Sequence, residues 1–187
     1  MHSALPTVIV LASGRGERFR AAGGSGAKLQ APLVGRTVLE HTLAAVRASG
    51  LPWHLEDAGH AGMGDSIAAA VRATAGAAGW LILPGDLPLV QATTLQAVAQ
   101  ALAGTALAAQ PWHRGERGHP VGFAAACGPQ LAALAGNQGA APVLRALREA
   151  HAVAEIEVDD IGILTDIDTP AELARAEALL AARLSAS

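Results

Sequence analysis

The sequence is poor in aromatic residues, with two Phe, three Trp and no Tyr, and only 16% of its 187 residues are charged. So few rings leave little material for the stacking platforms on which proteins hold single-stranded bases. Thirteen Lys+Arg against sixteen Asp+Glu give a net charge of −3, and no block of one sign occurs. Nucleic acid is therefore not an expected partner. A single cysteine, Cys127, excludes an intramolecular disulfide and a zinc site built from cysteines. No sequence neighbour would activate its thiol, which reads as buried and inert. Polar residues interrupt every apolar stretch before it is long enough for a membrane span. The start, MHSALPTVIVLASGRG, has no basic lead, so it reads as a first strand rather than a signal peptide. No membrane association is expected, and the expected location is the cytoplasm.

Alanine is what the chain has in excess: 45 residues, within a hydrophobic content of 51%. That content argues against disorder, and small side chains let helices pack closely on a sheet. The length predicts one domain over 1–187.

Thr7–Leu11 (TVIVL) and Trp80–Leu83 (WLIL) are continuous apolar runs, the pattern of strands buried on both faces. Weaker strands are predicted at Leu51–Glu56, Ala106–Gln110, Val121–Ala124 and Ala154–Val158. Between them, Ser13 to Gly35 reads as a long glycine-rich loop. Thr37 with Glu40 predicts a capped helix whose buried stripe is Val38, Leu39, Leu43 and Val46, stopped by Gly50. Further helices are expected from Asp65 or Ser66, over Ala92–Ala103, Pro129–Leu134 and Ala141–Ala150, and finally over Ala171–Leu184. Alternation of strand and helix predicts a mostly parallel sheet covered on both faces, with ligands bound beyond the carboxyl ends of its strands.

The segments after the strands are where chemistry is expected. LASGRGERFR (11–20) brings Gly14 and Gly16 for close approach of backbone N–H groups to an anion, with Arg15, Arg18 and Arg20 for charge. Arg18 stands where a dinucleotide fingerprint needs its third glycine, which argues against a dehydrogenase. Lys28, between Ala27 and Leu29, lacks the neighbours of a P-loop lysine. A phosphate-holding loop of another type remains, beside the bland reading of solvated surface arginines. LPGDLPLV (83–90) places Asp86 directly after a buried run, where a carboxylate needs solvent, a cation or a ligand. TDIDTPAEL (165–173) offers Asp166 and Asp168; Asp168 would serve either to cap the last helix or to meet Asp86 around one metal. GMGDS (62–66) combines two glycines with a helix start, a natural anion- or base-contacting place. RGHPVGF (117–123) holds His119 in a stiff segment, whereas His54, His60 and His113 read as surface residues.

Taken in order, LASGRGERF…K, GMGDS, LILPGDLPLV, GHPVGF, GNQGA and TDIDTP resemble the MobA-like nucleotidyltransferases, nearest the MocA-type molybdopterin cytidylyltransferases. The resemblance runs from Val8 to Leu180. It implies a Rossmann-like three-layer α/β/α fold that moves a nucleotidyl group from a nucleoside triphosphate to a phosphorylated acceptor, releasing pyrophosphate. By motif, Leu11, Ala12, Ser13, Gly14, Arg15 and Gly16 would border the nucleotide, with Gly62, Gly64 and Ser66 near the base. Arg18 and Lys28 would neutralise triphosphate oxygens, Asp86 and Asp168 would hold Mg²⁺, and His119 would face the acceptor. A molybdoenzyme or its chaperone would receive the product.

Guanylyl-transferring members usually carry glycine after the opening Leu-Ala and cytidylyl members alanine; Ser13, small but with a side chain, points to CTP. The rivals are transfer of a guanylyl group, transfer to a sugar phosphate, and a non-catalytic nucleotide- or cofactor-binding module. Two departures stand out: a long spacer between Arg18 and Lys28, and a short connection from Gly50 to GMGDS. The second leaves no room for the customary extra strand and helix, so the sheet should lack one strand-helix element there.

Overall fold

The computed structural model describes residues 5–14 and 16–185. Its elements, in chain order, begin with strand β1 (Thr7–Leu11), helix α1 (Glu17–Ala21), the short strands β2 (Pro32–Leu33) and β3 (Arg36–Thr37), and helix α2 (Val38–Ala48). Then come β4 (Trp53–Glu56), α3 (Met63–Ala73), β5 (Gly79–Pro84), α4 (Ala92–Ala101), β6 (Ala108–His113), β7 (Glu116–Arg117) and β8 (Val121–Ala124). The chain closes with α5 (Gly128–Ala132), α6 (Ala141–Glu149), β9 (Val153–Glu157) and α7 (Pro170–Ser185). Single turns of 3₁₀ helix lie at Lys28–Gln30, Ala125–Cys127 and Ile161–Leu164.

Seven of the strands form one sheet in the order β4-β1-β5-β8-β6-β7, with β9 also on β6. Strands β4, β1 and β5 pair in parallel, as do β6 and β9, while β8 runs against both its neighbours. Between α2 and α3 there is one strand, β4, and it forms the edge of the sheet.

Alternation along the strands divides the core into two layers. Val8 and Val10 of β1 and Leu81 and Leu83 of β5 pack with Leu43 and Val46 of α2 and Leu95 and Val98 of α4. Ile9, Trp80 and Ile82 point the other way, onto Ile67 and Val71 of α3, Leu131 of α5, and Leu144 and Leu147 of α6. Each large side chain so buried contributes roughly 1.5–3 kcal/mol. This is an α/β/α three-layer fold with a central sheet. Among the described residues no helix is long and apolar enough to cross a membrane.

A third cluster explains why the expected loop from Ser13 to Gly35 is folded. Phe19, Leu29 and Leu33 are buried against Val38, Leu89, Ile167, Ala176 and Leu180. Phe19 lies on Gly24, where a Cβ would stand 2.3 Å from the ring, so only glycine lets the chain turn back there. The spacer between Arg18 and Lys28 is thereby taken up in α1 and one turn.

Other boundaries shift by a few residues. Helix α3 begins at Met63, ahead of the expected Asp65 or Ser66, because extended Gly62 precedes it without any side-chain cap. Strand β6 starts at Ala108 and runs on to His113, since β7 pairs with its far end.

Candidate active site

Strand β4 ends at Glu56, β1 at Leu11 and β5 at Pro84, while the reversed β8 begins at Val121, two residues after His119. These four chain positions form a row about 14 Å long, three strand spacings. An open cleft of about 820 Å³ runs along the row.

Its centre is built around Asp86. The Pro84-Gly85-Asp86 turn is fixed by Gly85 N–H donating to Leu11 O at 2.9 Å, and by buried Thr42 of α2 donating to Gly85 O at 2.9 Å. Ile167 N–H donates to Asp86 O at 3.1 Å, which brings the 165–169 segment alongside. There Thr169, not Asp168, caps α7: its hydroxyl accepts from Glu172 N–H at 3.3 Å, and Glu172 in turn accepts from Asp168 N–H at 2.8 Å. The Asp168 carboxylate is thereby left to the cleft. Lys28 Nζ then bridges the two acids, 2.5 Å from Asp86 Oδ2 and 2.8 Å from Asp168 Oδ1, and Arg18 pairs with the other Asp168 oxygen.

Burial alone would push the Lys28 ammonium down, but the Asp86 and Asp168 carboxylates outweigh it and hold its pKa above the usual value. For Asp168, burial pushes upward, yet the hydrogen bonds and charges of Lys28 and Arg18 win and hold it low. Asp166, the next carboxylate on the cleft wall, is raised, first by desolvation and then by Asp86 and Asp168, its own backbone hydrogen bond opposing.

Toward β4 the walls are Leu11, Ser13, Gly14, Gly16, Gly62 and Ser66. Ser13 Oγ and Ser66 Oγ are 2.9 Å apart, a link from the first loop to α3. The 136–139 loop is held against α3 by Gly64 N–H on Gly136 O at 2.7 Å and by Gly136 N–H on Asp65 at 3.0 Å. Two expected nucleotide contacts do not line the cleft. Ala12 packs on the third cluster, and Gly64 serves close packing, since a Cβ there would lie 2.7 Å from Ala135 O. Arg15 lies outside the described residues.

Toward β8 stand His119 and Arg117. Burial lowers the His119 pKa, with Asp86 and Asp166 offsetting only part of it. Arg117 pairs with Glu155 of β9 at 2.6 Å. Arg117 and Asn137, neither of them an expected site residue, line the cleft, and so does His60, which was expected at the surface. Their signal was position: Arg117 lies two residues before His119, Asn137 lies within GNQG, and His60 lies two residues before GMGDS. His60 is thus not the surface residue expected; its Nε2 lies 3.1 Å from Glu56.

Asp86 Oδ1 is the one buried side-chain oxygen or nitrogen without a hydrogen-bond partner among the described residues. Such an atom is unfavourable by about 1–3 kcal/mol until a donor or cation reaches it. No group of three or more His, Cys, Asp or Glu among the described residues is arranged to hold a metal alone. A pair of carboxylates completed by substrate phosphates suits magnesium, which keeps few protein ligands. Asp86 and Asp168 fit that donor set.

The chain matches the MobA-like NTP transferase domain over residues 44–153. Among solved structures it is similar to a nucleotidyl transferase from Methanothermobacter thermautotrophicus, with 23% identity, TM-score 0.78, and coverage of 94% of this chain and 97% of that one. A homologue of Rv0371c from Mycobacterium sp. strain JC1 gives 26% identity and a TM-score of 0.74, covering 95% and 97%. The manganese complex of Rv0371c from Mycobacterium tuberculosis H37Rv gives 21% and 0.69, covering 93% and 98%. A comparison with curated proteins finds no match. With more than half of its length matched and the site residues gathered at the carboxyl edge of the sheet, the chain belongs to the MobA-like NTP transferase family.

Proposed function

We propose that this protein is a cytoplasmic, single-domain cytidylyltransferase that moves CMP from CTP to a phosphorylated acceptor such as molybdopterin, nearest in kind to the MocA-type enzymes. The observation that carries the proposal is the Lys28 bridge between two strand-end carboxylates, with Asp86 Oδ1 left open beside it. That is a place built for phosphate and a divalent cation together.

Asp86 and Asp168 would hold Mg²⁺, and the manganese carried by one structural relative supports divalent-metal use. Bound there, the ion would supply charge neutralisation on the triphosphate. The chain's own groups do the rest. Backbone N–H groups at Ser13, Gly14 and Gly16 cradle phosphate oxygens, and Lys28 and Arg18 neutralise them. An acceptor phosphate oxygen attacks the α-phosphorus, the α–β bridging bond breaks, and pyrophosphate leaves with the electron pair. The acceptor is already ionised, so no strong base is needed and alignment is the main task. His119, kept neutral by burial, positions the acceptor by hydrogen bonding.

Thermal shift with CTP, GTP, ATP and UTP, each with Mg²⁺, tests the reading, because a ligand of the folded state raises its apparent stability. CTP is expected to give the largest shift, and pyrophosphate release should follow addition of molybdopterin. The absence of any shift at millimolar nucleotide would overturn the proposal.

A further inference from the structure

The β4 end of the cleft carries a group with no part in phosphate binding. Glu56 closes β4 with only 7% of its surface exposed. A buried carboxylate needs donors, and Glu56 has three. Ala58 N–H at 3.2 Å and His60 Nε2 at 3.1 Å meet Oε1, and His54 Nε2 lies 3.5 Å from Oε2. An ionised carboxylate only accepts, so the His60 nitrogen facing it must carry hydrogen. In the neutral ring Nε2–H is then engaged by Glu56, and Nδ1 is the nitrogen with the lone pair. Nδ1 has no partner among the described residues, and His60 lines the cleft beside Ala61, Gly62 and Met63.

The rest of this inference rests on the transferase reading. The α-phosphorus must sit at the Lys28 centre, and nucleoside and acceptor leave it by different substituents, so they occupy different arms of the cleft. The β8 arm ends in Arg117 and His119, cationic and polar, suited to a phosphorylated acceptor. The β4 arm ends in Ala61 and the half-exposed Met63, with the Ser13 and Ser66 hydroxyls tied to one another alongside and His60 as the acceptor, a composition that suits a flat base.

We propose that His60, positioned by Glu56, reads the base. Its Nδ1 accepts a hydrogen bond from an exocyclic amino group, such as the 4-amino group of cytosine, and opposes the 4-carbonyl of uracil lone pair to lone pair. Glu56 is a positioning residue; His60 is the one that touches substrate.

Titration calorimetry of the full chain with Mg²⁺ tests this, using CTP, UTP, 2′-deoxy-CTP and inorganic tripolyphosphate as probes. The wild type is expected to prefer CTP over UTP by about tenfold, the size of one net hydrogen bond. His60→Ala, on a loop and so tolerated by the fold, should bring the two within about twofold and leave tripolyphosphate affinity unchanged. Glu56→Gln can offer N–H to the ring, release the other tautomer and move preference toward UTP; should it fail to fold, His60→Phe carries the same test. An unchanged CTP:UTP ratio in His60→Ala overturns the assignment. So does a changed ratio of CTP to its 2′-deoxy form, which would place the ring on the ribose. A wild type that binds none of the nucleotides is a different result, and it would overturn the transferase reading itself.

Discussion

Glu56 and Asp86 occupy comparable places, each a carboxylate at the carboxyl end of a parallel strand, Glu56 on the edge strand β4 and Asp86 just after the buried β5, yet their surroundings differ. Both Glu56 oxygens meet donors from within four residues along the chain, Oε1 from Ala58 and His60 and Oε2 from His54. Asp86 has one oxygen on Lys28, brought from 58 residues away, and one with no partner among the described residues. A carboxylate satisfied by its own neighbourhood organises a loop; one left short of donors is waiting for a ligand. The difference separates an acid that shapes a loop from the acid to which we assign a working role.

The sharpest way to break that contrast is Asp86→Asn, which keeps the shape and removes the charge. Turnover is expected to fall by about 10²–10³-fold, the usual loss when one charge-stabilising group is removed, with the melting temperature nearly unchanged. Asp168→Asn should follow it and Asp166→Asn should be milder, because Asp166 does not touch Lys28. Equal steady-state rates for Asp86→Asn and wild type would end the assignment of Asp86 to the reacting centre.

Lys28→Ala sharpens the comparison from the other side. It leaves Asp86 and Asp168 facing one another, so a stability loss of about 1–3 kcal/mol is expected by chemical denaturation. Nucleotide affinity should also drop, and the drop should shrink as salt screens the charge. Added Mg²⁺ alone should raise the melting temperature of this variant more than that of wild type, since the vacated pair is a better cation site.

Ser13→Gly tests size rather than charge. Removing the side chain beside the nucleotide should shift use from CTP toward GTP by about 10-fold, the low end of what one pocket contact supplies, measured by competition at fixed acceptor. Ser13→Ala should keep the wild-type ratio.

The smallest effects are those of pH on stability. Asp168 is depressed below its ordinary value of 3.8, so its contribution is present above that value and is lost as pH falls through the depressed one. Lys28 is raised above 10.5, so its contribution is present below that value and is lost as pH rises through the raised one. Denaturation curves should therefore show the Lys28 bridge contributing a constant amount across neutral pH, and Lys28→Ala should flatten both limbs.

Features coded by neighbouring residues were legible in the sequence. The Thr37–Glu40 capping box is present, with Thr37 N–H on Glu40 at 2.6 Å, and Val121–Ala124 is a strand with the expected bounds. Asp86 was visible because a carboxylate after a buried run is unfavourable unless used. Helix α1 was not legible, because five residues are too few for a periodic signal. What holds that segment is Phe19 on a distant cluster. The choice of Thr169 over Asp168 as cap turned on a small local competition between two adequate residues. His60 was missed because its meaning depends on a carboxylate folded back against it, and no spacing rule describes that pair.

The bond from Lys28 to Asp168 spans 140 residues. During synthesis, therefore, the Lys28 ammonium leaves the ribosome long before the acid that will hold it. Phe19, Leu29 and Leu33 likewise wait for Ile167, Ala176 and Leu180 before their cluster is complete. The nascent sheet can assemble from β1, β4 and β5 without any of this, whereas the cleft around Lys28 closes only when the 165–169 segment and the last helix dock. A ribosome stalled shortly before Ile167 should thus present a chain whose β1, β4 and β5 are already protected and whose Arg18–Lys28 segment is still open to proteases, with competence for nucleotide arriving in one late step.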